Sequence, residues 1–139
     1  AAVDARVTAL APMVIDVLNM VPQMAHQRQA WGKLSYKISD YSDRNLIEQL
    51  ESPAGKALRA IVDPYSYRKQ LVQPKLIIIG TNDHYWPLDA LNLYWQDLPG
   101  PKYILYVPNN RHGLTDLGRV LGRGGLSLAT KNVRRFKEN

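Results

Sequence analysis

The chain has 139 residues, 45% of them hydrophobic and 22% charged, with no cysteine and a formal net charge of +6. This is enough for one modest core. It excludes disulfides and cysteine catalysis, and no apolar run approaches the ~20 residues of a membrane-spanning helix.

Residues 7–15 are apolar and predict a buried strand, with Pro12 at its end or at a bulge. Residues 16–31 then read as a helix: Val17, Met20, Val21, Met24 and Ala25 recur near a 3.6 period, and Pro22 belongs in the first turn or at a kink. Residues 33–73 form a helical connector. Ser42 or Asp43 is placed to cap a helix through residue 50, Ser52-Pro53 opens a second through 62, and Asp63-Pro64 opens a third, short one through 71. Pro74 precedes an apolar strand over residues 76–79. A helix over 88–98 is expected to begin at Pro87 or Asp89 and to stop at Pro99-Gly100-Pro101, and a strand over 103–107 follows it. Residues 113–125 are glycine-rich and read as loop, and residues 126–137 as a last helix with Leu128, Val133 and Phe136 on its apolar side.

The three strand-like runs are continuous rather than alternating, so helices should cover both faces. The expected fold class is α/β, with a partial parallel sheet and a helical connector. Three strands leave both sheet edges open, which suits part of a domain better than a whole one.

The tail from Leu117 carries Arg119, Arg123, Lys131, Arg134, Arg135 and Lys137 against Glu138 alone, and so holds five of the six net positive charges. A basic tail can touch nucleic acid or anionic lipid. Phe136 is its only aromatic, so a solvated helix face is the favoured reading and nucleic acid is not an expected partner. Ala1-Ala2-Val3-Asp4 shows neither the basic n-region nor the apolar h-region of an export signal, which decides little for a fragment.

Functional groups in open α/β sheets collect beyond the carboxyl ends of the strands. Asp83 follows one strand and His112 the next, with a single crossover between them. A serine hydrolase presents two members of its triad in this way, the carboxylate fixing the imidazole tautomer while the other ring nitrogen takes a proton. The plainer alternative is a turn-capping Asp83 and an incidental loop histidine. His84 is the rival base and reads as a loop residue pointing elsewhere. His26, within a helix, reads as structural. Tyr85 and Trp86, beside the acid, are candidates for a substrate pocket, whereas Tyr94 and Trp95 read as packing.

A nucleophile is missing. The serines are Ser35, Ser39, Ser42, Ser52, Ser66 and Ser127. Only Gly125-Leu126-Ser127-Leu128-Ala129 approaches the strand-to-helix Gly-x-Ser-x-Gly elbow, and it lies after the histidine, so Ser127 reads as a helix cap. Three scattered histidines give no metal-ligand spacing, and Gly118 to Gly125 lacks the Gly-Lys-Ser/Thr ending of a phosphate loop. No cofactor or metal is expected.

Val62-Asp63-Pro64-Tyr65-Ser66-Tyr67-Arg68, the Lys75 to Gly80 strand, Thr81-Asn82-Asp83-His84-Tyr85-Trp86, Asp89-Ala90-Leu91-Asn92-Leu93-Tyr94-Trp95, Leu98-Pro99-Gly100-Pro101-Lys102-Tyr103 and Tyr106-Val107-Pro108-Asn109 together resemble the PhoPQ-activated pathogenicity-related protein family. The opening residues 1–7 and 14–20 fit it too, and the resemblance covers about residues 1–115. It implies an α/β-hydrolase-like fold in proteins usually several times longer, many of them exported, which makes a secreted or periplasmic location the expectation.

The family's serine elbow lies just before the Ala-Val-Asp block. The chain would then be the C-terminal part of one such domain. Residues 1–31 follow the missing elbow, 32–73 form the connector, and 74–139 bear the acid and the histidine. Asp83 matches the triad acid and His112 the base. The expected function is to supply these two groups for ester or amide hydrolysis of a small-molecule or peptide substrate, with the N-terminal part of the same domain as partner. The alternative is a non-catalytic interaction or regulatory protein on a hydrolase scaffold. The glycine-rich residues 118–125 depart from the family pattern.

Overall fold

The computed structural model describes residues 1–115 and residue 118. Its elements are α1 (Met20–Trp31), a 3-10 turn (Tyr36–Ile38), α2 (Ser39–Asp43), α3 (Pro53–Val62), a 3-10 helix (Pro64–Gln70), β1 (Lys75–Gly80), 3-10 segments at Ala90–Leu93 and Trp95–Asp97, and β2 (Lys102–Val107). Among the described residues no helix is long and apolar enough to cross a membrane.

β1 and β2 are parallel, in register from Lys75 opposite Lys102 to Gly80 opposite Val107. The expected first strand is only partly realised. Residues 10–14 run parallel along the other side of β1 through isolated bridges at Leu10–Lys75 and Met13–Ile78. Leu10 N–H donates to the Pro74 carbonyl and Val14 N–H to the Ile78 carbonyl. The donor between them would be residue 12, and proline has none, so the ladder is interrupted at its middle rung.

β1 is therefore central and apolar on both faces. Ile77 and Ile79 pack with Leu91, Tyr94 and Leu98 on one side, and Ile78 packs with Val107 and Leu114 on the other. A third cluster, Met24, Ile38, Ile47, Trp86 and Ala90, lies between α1 and the connector. Each fully buried side chain of this size contributes roughly 1.5–3 kcal/mol.

α1 begins at Met20, four residues later than the apolar period suggests, with Asn19 in the left-handed region and Pro22 in the first turn. The Asp63 carboxylate sets that start. It accepts the backbone N–H groups of Asn19 (3.2 Å) and Met20 (3.0 Å), and also that of Tyr65 (2.9 Å), so one buried acid caps α1 and the following 3-10 helix together. Ser52 caps α3 through the Gly55 N–H at 3.1 Å, as its Ser-Pro pattern predicts.

Two expected helices differ. Ser42 and Asp43 end α2 instead of opening a helix, and residues 44–50 are turns. The 88–98 helix is two short 3-10 pieces, broken at Tyr94, whose buried ring enters the core under β1. The Lys102 ammonium donates to the freed carbonyls of Trp95 and Leu98. The expected glycine-rich loop beyond Thr115, the 126–137 helix and the basic tail lie outside the described residues.

Candidate active site

The carboxyl ends of β1 and β2 are joined by their own loops. Thr81 N–H donates to the Val107 carbonyl (3.1 Å), Asn82 N–H to the Asn110 carbonyl (2.9 Å), and Asn109 N–H to the Thr81 hydroxyl (2.9 Å). Gly80 permits this. A Cβ there would stand 2.4 Å from the Asn110 carbonyl oxygen and 2.8 Å from that of Arg111, both rigid backbone atoms.

The closed loops carry Asp83 and His112 to each other. His112 Nδ1 lies 2.9 Å from Asp83 Oδ2. The second carboxylate oxygen, Oδ1, accepts the Tyr85 N–H at 2.8 Å, which fixes the carboxylate plane. The Asp83 side chain is 5% exposed and that of His112 40%. With Nδ1–H directed to the carboxylate, neutral His112 keeps a bare Nε2 able to accept a proton.

Tyr85 stacks on the His112 ring, centroids 4.0 Å apart. It lines a cavity of about 280 Å³ with His112, and a second, largely apolar cavity of about 430 Å³, sharing Tyr36 and His84 with the first, is lined by Asp83, Ser35 and Trp31. Of the two expected pocket aromatics only Tyr85 faces a cavity beside the pair. Trp86 is 6% exposed and packed with Met24 and Ile38 in the cluster between α1 and the connector. Tyr94 and Trp95 pack at β1 as expected.

The other histidines are engaged elsewhere. The His84 ring meets the Tyr36 hydroxyl at 2.9 Å instead of Asp83, and His26 pairs with Asp89 at 2.8 Å, tying α1 to the segment after β1 and holding the Asp89 carboxyl below its usual range. Ser35 lines the same cavity as Asp83, but its hydroxyl donates to the His84 carbonyl and accepts the Lys37 N–H, so it is a structural latch. Ser127 lies outside the described residues. Among the described residues no His, Cys, Asp or Glu group is arranged to hold a metal.

Two buried polar groups were missed in the sequence, of which Gln27 positions the acid loop. Gln27 is fully buried on α1. Its amide donates to the Tyr85 carbonyl and its oxygen accepts the Ser35 N–H, both at 2.8 Å, bracketing the acid loop. A glutamine at an apolar phase of the helix, four residues after the buried Gln23, was the available signal. Asp16 follows the residue 10–14 segment and is 2% exposed. Burial lifts its carboxyl to about 6; the nearby Tyr94 hydroxyl partly offsets this, and Asp83 and Asp89 add to it. Neither Asp16 oxygen nor the Tyr94 hydroxyl reaches hydrogen-bond geometry with any described group, so Asp16 and Tyr94 approach without bonding.

Comparison with known proteins places this arrangement. The chain is 36% identical over 114 residues to autocrine proliferation repressor protein A of Dictyostelium discoideum, covering 81% of this chain and 23% of that protein. It therefore spans about a quarter of the length of this curated relative. The fold superposes on the acylaminoacyl peptidase of Pyrococcus horikoshii with a TM-score of 0.52 at 20% identity, covering 84% of this chain and 18% of the peptidase. A monoacylglycerol lipase of Paleococcus ferrophilus superposes at a TM-score of 0.41 and 14% identity, over 84% of this chain and 56% of the lipase. The architecture is that of a partial α/β-hydrolase sheet. The family described as PhoPQ-activated pathogenicity-related protein matches residues 1–124, and the chain belongs to it.

Proposed function

We propose that the chain supplies the acid and the base of a serine-hydrolase triad whose nucleophile is contributed by the preceding part of the same domain. Asp83 orients His112 through Nδ1, and Nε2 of His112 takes the proton of the incoming serine as it attacks an ester or amide carbonyl. The imidazolium then returns that proton to the leaving group, and water resolves the acyl-enzyme by the same route. The observation that carries this reading is the 2.9 Å contact between the shielded Asp83 carboxylate and a half-open imidazole. The hydrolase scaffold supports it.

The test is covalent labelling of the full-length protein by a fluorophosphonate. Labelling lost in His112→Ala is the expected result, with hydrolysis falling by as much as ~10⁶ as for other triad members removed singly. The isolated chain is expected to be inactive. Ester hydrolysis by this chain alone, abolished by Ser127→Ala, would overturn the proposal.

A second reading, a non-catalytic secreted or periplasmic regulatory protein on the same scaffold, draws on the name of the Dictyostelium relative, which describes a proliferation repressor. A full-length protein that resists the fluorophosphonate while keeping its fold would favour that reading.

A further inference from the structure

The approach to His112 is cationic. The cavity of about 280 Å³ around the imidazole is lined by Tyr36, Lys37, His84, Tyr85 and Arg111, with no carboxylate in its wall among the described residues. Asp83 reaches His112 from behind, with its oxygens already taken by His112 and the Tyr85 N–H. Neither Lys37 nor Arg111 forms an ion pair with an acid among the described residues. Lys37 is nonetheless held. Its ammonium sits 5.1 Å from the centroid of the Tyr36 ring and 6.0 Å from that of Tyr85, and Tyr85 is the ring stacked on His112. Tyr36 is fixed in turn by its hydroxyl contact with His84. One ammonium is thus one aromatic ring away from the imidazole, and a guanidinium lies adjacent to it in the chain.

We infer that this cavity binds the anionic end of the substrate, a carboxylate carried on the ester or amide whose carbonyl lies at His112. The inference rests on the proposed hydrolase reading only for the position of the reacting carbonyl; the anion site itself depends on Lys37, Arg111 and the two tyrosine rings. Two cations without an acid partner at the mouth of a small cavity concentrate negative ligands there and orient a bound carboxylate. A neutral ligand of the same shape leaves both cations unmatched.

The experiment uses the full-length protein labelled with ¹⁵N-histidine and titrated with monomethyl succinate and, separately, dimethyl succinate. The two differ by one charge at nearly equal size. The His84 and His112 imidazole signals are expected to move at roughly tenfold lower concentration of the anionic ester, about 1.4 kcal/mol. Lys37→Gln combined with Arg111→Gln, both exposed positions, is expected to erase the difference. Equal midpoints in the unaltered protein, or a preference that survives the double variant, would overturn the anion site. Fluorophosphonate labelling is read separately from binding. A protein that prefers the anion but resists the fluorophosphonate keeps this site and loses the hydrolase reading. One that is labelled by the fluorophosphonate but binds both esters with equal midpoints keeps the hydrolase reading and loses this site.

Discussion

The Tyr85 ring lies over the His112 imidazole at 4.0 Å between centroids and 30° between planes, so it holds the imidazole by its face while Asp83 holds it by its Nδ1 edge. Aromatic stacking of this kind contributes about 0.5–1.5 kcal/mol. Tyr85→Ala should slow fluorophosphonate labelling of the full-length protein by up to about tenfold, and Tyr85→Phe should restore most of it. Equal loss in both variants would mean that the hydroxyl, and not the ring, matters.

Gly80→Ala should separate the two loops. The new Cβ meets backbone oxygen at 2.4 Å, and moving the two carbonyls aside disturbs the Asn82 N–H contact to the Asn110 carbonyl and the Leu114 N–H contact to that of Arg111. A cost of about 1–3 kcal/mol is expected in urea unfolding. The downfield Nδ1–H proton signal of His112 should weaken with it. A variant of unchanged stability and unchanged proton signal would show that the loops are looser than the contacts indicate.

Gln27→Leu keeps the side-chain volume in the core but leaves the Ser35 N–H and Tyr85 carbonyl without partners. Each buried orphan costs about 1–3 kcal/mol. Denaturant midpoints should fall accordingly, while Gln27→Glu should recover part of the loss at low pH, where its protonated carboxyl accepts from Ser35 and donates to the Tyr85 carbonyl. A leucine variant as stable as the parent would remove Gln27 from the scaffold of the site.

Asp16 makes stability depend on pH in a direction opposite to that of ordinary surface acids. Its carboxyl is raised by burial from 3.8 to about 6, so the folded chain holds a proton that the unfolded chain releases first. Stability from this group is full below pH 3.8, declines as pH rises to about 6, and is level above that. The decline amounts to about 3 kcal/mol, since each tenfold difference in proton affinity between the folded and unfolded chain is worth about 1.4 kcal/mol. Asp16→Asn should flatten that part of the pH–stability profile in thermal unfolding between about pH 4 and pH 6. An unaltered slope would place the titration elsewhere.

The parts of this fold legible in the sequence are those whose cause is local. β1 and β2 are continuous apolar runs, rich in isoleucine and tyrosine and bounded by proline and glycine, and the Ser52-Pro53 and Asp63-Pro64 caps are complete within three residues. The juxtaposition of Asp83 and His112 was readable because parallel neighbours of equal length deliver their following loops to the same end. What escaped depends on contacts distant in the chain. Asp63 starts α1 from more than 40 residues away, Gln27 reaches Tyr85 across 58, and Tyr94 breaks its helix because its ring is claimed by the core of β1. Trp86 is core instead of cavity wall because α1 and the connector, distant in the chain, close over it.

The close crossing at Gly80 has one more consequence. The distance between acid and imidazole is set by main-chain atoms of the two loops meeting across a residue without a side chain. Outward residues on those loops, Arg111 among them, can therefore be exchanged without disturbing the Asp83–His112 contact. On the proposed reading, ligand choice and proton chemistry are separable traits in this scaffold, and selection can revise the first while inheriting the second intact.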